Sequence, residues 1–217
     1  MPVAPPDLSA YFTDGRSYRD TGTTIVGDPY DFLQKITVEH LGELSTPSGR
    51  VIACDPMLVG SDLPALAEHI EPGRHPVSVA RLTTAMAEYP EGTWSEIAAM
   101  RLVVRDAPAV AWEAALLEGQ EDPEVLYGYP VDTGLACFVD AAANTAFGRQ
   151  DDPWENLTEA SRGWDAVPAV VTEPATGHAI AVTRSGAGDG LYPNWIGRDA
   201  DGEVTCIVTT FIEILRS

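Results

Sequence analysis

The chain has 217 residues, 45% hydrophobic and 8% aromatic, with 33 acidic against 13 basic side chains for a formal net charge of −20. A chain this long buries roughly 70% of the surface that its unfolded form exposes, so it needs neither disulfides nor a structural metal to fold; one domain over residues 1–217 is expected. No apolar run approaches the roughly 20 residues of a membrane-spanning helix, and so acidic a field, with Lys35 the single lysine, opposes phosphate backbones and anionic lipids, which argues against nucleic acid and membrane as partners.

The opening Met1-Pro2-Val3-Ala4-Pro5-Pro6 has neither the basic nor the apolar region of a secretion signal, so a cytoplasmic protein is expected. Residues 1–35 read as an N-terminal extension packed on a core that begins near residue 40. Ile36 to Leu41 alternates in part, and Gly49 to Cys54 reads as a buried strand ending at Asp55-Pro56. A turn at Ser45 to Gly49 would pair the two as a hairpin. Ser61 or Asp62 can cap a helix over Pro64 to Ile70, stopped by Pro72-Gly73. Pro76 to Leu82 alternates as a half-buried strand does, and Ile97 to Val104 is a further strand.

Ala109 to Leu117, rich in Ala and Leu and bounded by Gly119, predicts a helix. Val131 to Val139 reads as one buried strand. Asp140 then caps a helix over Ala141 to Phe147 with Gly148 behind it, and Asp152-Pro153 opens another that ends near Gly163. Ala166 to Thr172 and His178 to Arg184 are strands around the turn Glu173 to Gly177. Asn194 to Arg198 and Glu203 to Val208 are joined by Asp199-Ala200-Asp201-Gly202, a hairpin turn. Scattered Pro and Gly between short apolar runs predict a mainly β (α+β) chain, an antiparallel β-sandwich or partly closed barrel with a few short peripheral helices.

Three segments, Ser48 to Pro56, Val131 to Asp140 and Ser185 to Pro193, together with the link Glu71 to Val77, resemble a bacterial family of unknown function numbered 4241 over about residues 40–215. The resemblance brings no activity with it. Its closing strand usually carries an Asp-Phe pair, where this chain has Thr210-Phe211.

Those segments hold four carboxylates, Asp55, Asp132, Asp140 and Asp189. Converging carboxylates bind Ca²⁺, Mg²⁺ or Mn²⁺, and a bound ion can activate water. On one straight strand Asp132 and Asp140 would lie about 26 Å apart, too far to share an ion. Asp140 also fits a helix cap, and Asp55 before Pro56 fits a turn. Asp189 sits between Gly188 and Gly190 in a glycine-rich loop that can present amides to a ligand, close to Tyr192 and Trp195. Asp189 and Asp132 are the weak metal candidates. No other metal-ligand spacing, nucleophile elbow or phosphate loop is present, and no cofactor is implied. Cys54, Cys137 and Cys206 lie in apolar runs, as buried free thiols do.

Two functions are therefore expected. The first is a non-catalytic binding domain that neutralises a basic protein partner, as immunity proteins do. The second is a metal-dependent hydrolase or small-ligand enzyme built on the loop around Asp189, with Tyr192, Trp195 and Asp132 or Asp55. Oligomeric state is left open.

Overall fold

The computed structural model describes residues 8–24, 26–120 and 128–214. The reading of Met1 to Pro6 lies outside the described residues. The elements run α1 (Leu8–Tyr11), β1 (Ser17–Thr23), β2 (Pro29–Thr46), β3 (Val51–Cys54), β4 (Gly73–Met86), β5 (Tyr89–Val103), β6 (Ala111–Ala114), β7 (Gly128–Val131), β8 (Leu135–Asp140), α2 (Ala141–Phe147), α3 (Pro153–Ala160), β9 (Ala169–Thr172), β10 (Ala179–Arg184), β11 (Gly190–Arg198) and β12 (Val204–Thr210). Every pairing between these strands is antiparallel. The larger sheet has the order β1-β2-β4-β5-β12-β11-β6, with β7 also on β11; the smaller is β3-β8-β10-β9.

The strand-rich expectation holds, and the two sheets form a sandwich with no closed barrel. Alternation within β8 explains the layers. Ala136 and Phe138 face the larger sheet, in a core shared with Val79, Met100 and Ile207. Leu135, Cys137 and Val139 face the other way and pack with Phe147 of α2 and Leu157 of α3. The outer face of the larger sheet is covered in part by Leu8 and Tyr11 of α1, which pack on Ile36, Leu82 and Val208. The order of layers is thus α1, larger sheet, smaller sheet, α2 with α3.

A bulge sets which face of β2 is buried where. The register with β4 slips between His40 and Gly42, so Ile36 and Val38 face α1 whereas Leu44, also even-numbered, faces the sandwich core. One extra residue inverts the side-chain parity beyond it. Residues 17–23 are not apart from the sheet: β1 is its edge strand, with Ser17 opposite Lys35.

Local grammar is obeyed where a turn or cap decides the outcome. Asp140 accepts from Ala142 N at 2.9 Å to cap α2, and Asp152 accepts from Glu155 N at 2.9 Å to cap α3. Gly148 ends α2 with an ordinary φ of −63°. A β-carbon there would stand 2.4 Å from Gly60 O, so close approach of two backbones demands the glycine. The β9–β10 hairpin turns at Glu173, whose buried carboxylate accepts from Ala175 N, Thr176 N, Thr176 Oγ1 and Gln150 Nε2. Burial alone would raise its pKa, and these donors together outweigh it and hold the group below its ordinary value.

Four expectations are corrected. Pro64 to Ile70 is not a helix. It is irregular, with isolated bridges at Leu66 and His69, Leu66 N donating to Val51 O and Ile70 N to Gly49 O, because burying Leu66 and Ile70 beside β3 outweighs a modest helical propensity. Ala109 to Leu117 is also not a helix: its centre is β6, paired with β11. The strands at 36–41 and 49–54 form no hairpin with each other, since β2 and β3 belong to different sheets. Lastly, Val131 to Val139 is two strands, β7 and β8, again in different sheets, so Asp132 and Asp140 do not share a straight strand.

Candidate functional site

The three segments singled out in the sequence are corners at which the chain passes between sheets. Residues 47–50 carry it from β2 to β3, residues 132–134 from β7 to β8, and residues 185–189 from β10 to β11. Each corner exposes backbone donors that no ladder satisfies, and neighbouring segments supply the acceptors.

Asp55 is 2% exposed. Its Oδ2 accepts from Asp132 N and Thr133 N, both at 2.9 Å, and Thr133 Oγ1 lies 2.9 Å from either oxygen. Oδ1 also accepts from Met57 N at 2.9 Å. The carboxylate is thereby filled with donors from this chain. Asp140, fully buried, accepts from Ser48 N at 3.1 Å and from Ser48 Oγ at 2.7 Å besides capping α2. At the third corner Ser185 N donates to Gly134 O, while Ser185 Oγ and Tyr192 Oη both donate to Gly188 O, at 2.5 and 2.6 Å.

The sequence-predicted ligand set is not brought together. Asp132 meets Asp55 through its backbone N–H, and its carboxylate has no hydrogen bond among the described residues. Asp189 is exposed, and its side chain has neither a hydrogen bond nor an ion pair among the described residues. Tyr192 points into the sandwich core, against Phe211. Trp195 lies on the opposite face of the same strand and donates from Nε1 to Thr210 Oγ1 at 3.2 Å. Gly188 supplies a carbonyl to Tyr192, and Gly190 pairs with Val131. Among the described residues no group of three or more His, Cys, Asp or Glu is placed to hold a metal ion. Asp189→Asn is expected to shift unfolding free energy by no more than about 0.5 kcal/mol in urea, the range of an exposed substitution without partners; a loss above about 1.5 kcal/mol would assign this carboxylate a structural or ligand role.

All three cysteines are buried free thiols. Cys54 and Cys137 are cross-strand neighbours with sulfurs 3.6 Å apart, and burial, then the contact with Cys54, pushes the Cys137 thiol well above its ordinary pKa.

The surface that stands out lies elsewhere, at the far end of the ribbon made by β1, β2, β4 and β5. There the outer face of the larger sheet runs past α1. Tyr30 and Phe32 stack with centroids 5.0 Å apart, and Trp94 meets Phe32 edge-on at 5.5 Å. Trp94 is 43% exposed and Met86 48%. Tyr30, Phe32 and Met86 line a shallow cleft of about 210 Å³ whose rim carries Asp31 and Glu88. Asp20, Asp28, Glu91 and Glu96 stand on the same strands and turns, without an ion pair among the described residues. Arg19 is tied to Asp31 through Nε and Nη2 at 2.8 and 2.6 Å, which holds the Asp31 carboxyl below its ordinary pKa. The sequence reading passed over these residues. The available signal was the alternation Tyr30-Asp31-Phe32, in which aromatic and acid take opposite faces.

Among the described residues no helix is long and apolar enough to cross a membrane. No curated protein and no solved structure matches the chain. A family model described as protein of unknown function (DUF4241) matches residues 44–209, a span holding all three corners, and the chain belongs to that family.

Proposed function

We propose that the protein is a non-catalytic binding domain whose ribbon tip receives a basic polypeptide partner. The carrying observation is the cluster of half-buried Tyr30 and Phe32 with exposed Trp94 and Met86, set near Asp20, Asp28, Glu91 and Glu96, which have no ion pair among the described residues. Apolar side chains left at a surface and rimmed by polar residues are a feature of interaction sites. Ring faces attract Arg and Lys cations within about 6 Å, and the surrounding carboxylates add charge complementarity. A net charge of −20 steers the same class of partner over longer range and opposes nucleic acid. A reducing compartment is part of the proposal, since the three buried free thiols suit one.

The test is affinity capture from extract on immobilised wild-type protein and on Trp94→Ala, at low and high salt. The expected result is a protein with an isoelectric point above about 9 that the wild type retains at low salt and that Trp94→Ala loses. The variant should unfold within about 0.5 kcal/mol of wild type, since Trp94 is far from fully buried. Retention that does not depend on Trp94, or no basic protein retained at all, would overturn the proposal.

A further inference from the structure

Six arginines of the described chain have acidic partners: Arg19 with Asp31, Arg50 with Glu118, Arg74 with Glu43, Arg81 with Glu39, Arg105 with Asp199 and Glu203, and Arg198 with Glu68 and Glu113. In so acidic a protein a guanidinium without a carboxylate needs a reason. Arg101 is one. It stands on β5 opposite Val208, half-buried, and its shielded Nε has no acceptor. No described residue accepts a hydrogen bond from its guanidinium or pairs with its charge. Its compensation comes from Phe12, whose ring centroid lies 4.2 Å from Arg101 Cζ, and from the nearby Cys206 sulfur. Burial lowers its pKa, as it must for a cation deprived of solvent. A guanidinium carries five donors in a planar fork, and leaving even one of them dry is costly.

Arg101 does not point into a packed core. It lines a cleft of about 180 Å³ between α1 and the outer face of the larger sheet. The walls are apolar, from Leu8, Phe12, Val103, Pro108 and Trp112. Gly197, opposite both Cys206 and Trp112, gives that indole its place against the sheet: a β-carbon there would stand 2.7 Å from Cys206 Sγ and 2.9 Å from the Trp112 ring. At the rim sits Arg105, held 3.4 and 3.3 Å from Asp199 and Glu203, a second cation already balanced. An apolar cavity of about 150 Å³ is large enough for benzene, and small-molecule sites commonly join apolar walls to a few placed polar groups. A carboxylate matches the guanidinium fork with two parallel hydrogen bonds.

We infer that this cleft binds a small organic carboxylate with a flat apolar body, its carboxylate on Arg101 and its body between Phe12 and Trp112. The site is separate from the ribbon tip and stands whether or not that tip binds a basic partner.

The probe is benzoate, with benzamide as its neutral counterpart. Benzoate is expected to raise the thermal midpoint and to shift the ¹⁵N–¹H signal of Arg101 Nε, while benzamide binds at least about tenfold more weakly. Arg101→Met, which keeps the apolar stem, should lose benzoate binding by about tenfold or more, and Arg101→Lys should recover part of it without the fork geometry. Should Arg101→Met fail to fold, the Nε signal of the unaltered protein decides. A signal that moves with benzoate and not with benzamide upholds the inference. No response of that signal to benzoate or hexanoate overturns it, as does equal benzoate affinity in Arg101→Met and wild type.

Discussion

Asp55→Ala is expected to lower the unfolding free energy by about 3 to 4 kcal/mol, measured by urea denaturation. The figure follows from what the carboxylate receives. Three backbone N–H groups, of Met57, Asp132 and Thr133, and the hydroxyl of Thr133 lose their acceptor at once. A bond to a charged group contributes about 1.5 to 3 kcal/mol, and a buried donor left bare costs about 1 to 3. The sum is limited because Met57 is 45% exposed, so water can reach part of this corner. Asp55→Asn keeps one carbonyl oxygen and should recover about half of the loss, whereas Thr133→Val should cost about 1 kcal/mol. The same series separates two roles for Asp55. A latch is destabilised by Asp55→Ala with or without chelator, while a metal ligand would lose stability only when the ion is present.

That latch also explains which parts of the fold were legible in the sequence. The α2 and α3 caps and the β9–β10 and β11–β12 turns depend on residues within a few positions of one another, and local chemistry suffices to find them. The break between β7 and β8 does not. Val131 to Val139 is apolar enough to continue as one strand, and what bends it is the carboxylate of Asp55, 77 residues before Asp132. Likewise Ala111 to Ala114 has a composition that favours helix, and it becomes a strand because β11 presents an unpaired edge to it. Sheet membership is a long-range property, so the order of the strands lay beyond any local reading.

The candidate site divides along the same line. The glycines and acids of the three segments were visible as a set, and their ligand reading followed from residue type. Their arrangement assigns them to corners: Asp55 and Asp140 fill their lone pairs with backbone and serine donors, and Asp189 is left facing solvent. By contrast, Tyr30, Phe32 and Trp94 have the residue types of a core. Only the reach of β2, β4 and β5 past α1 leaves them at the surface. Arg101 was hidden for a similar reason, since the absence of an acid beside it among the described residues depends on three strands and a helix meeting at one place.

The largest loss among single side chains is expected at Phe138. It is fully buried, and its cross-strand neighbours are both alanines, Ala53 on β3 and Ala181 on β10. One ring therefore fills the space that three positions present to the larger sheet, against Val79 and Met100. Truncating Phe in a core costs about 3 to 5 kcal/mol, the transfer term plus a cavity term that grows with the volume left empty. Here the neighbours cannot lengthen to fill the gap, and two hydrogen-bonded sheets resist collapse, so Phe138→Ala should fall at the upper end, about 4 to 5 kcal/mol. Phe138→Leu should cost about 1 to 2 kcal/mol, because most of the volume remains. Urea denaturation reads both, with a lowered midpoint and an unchanged m value. A loss below about 2 kcal/mol for Phe138→Ala would mean that the sheets close over the gap, and that the spacing of the sandwich is set instead by the hydrogen-bonded corners at Asp55 and Asp140.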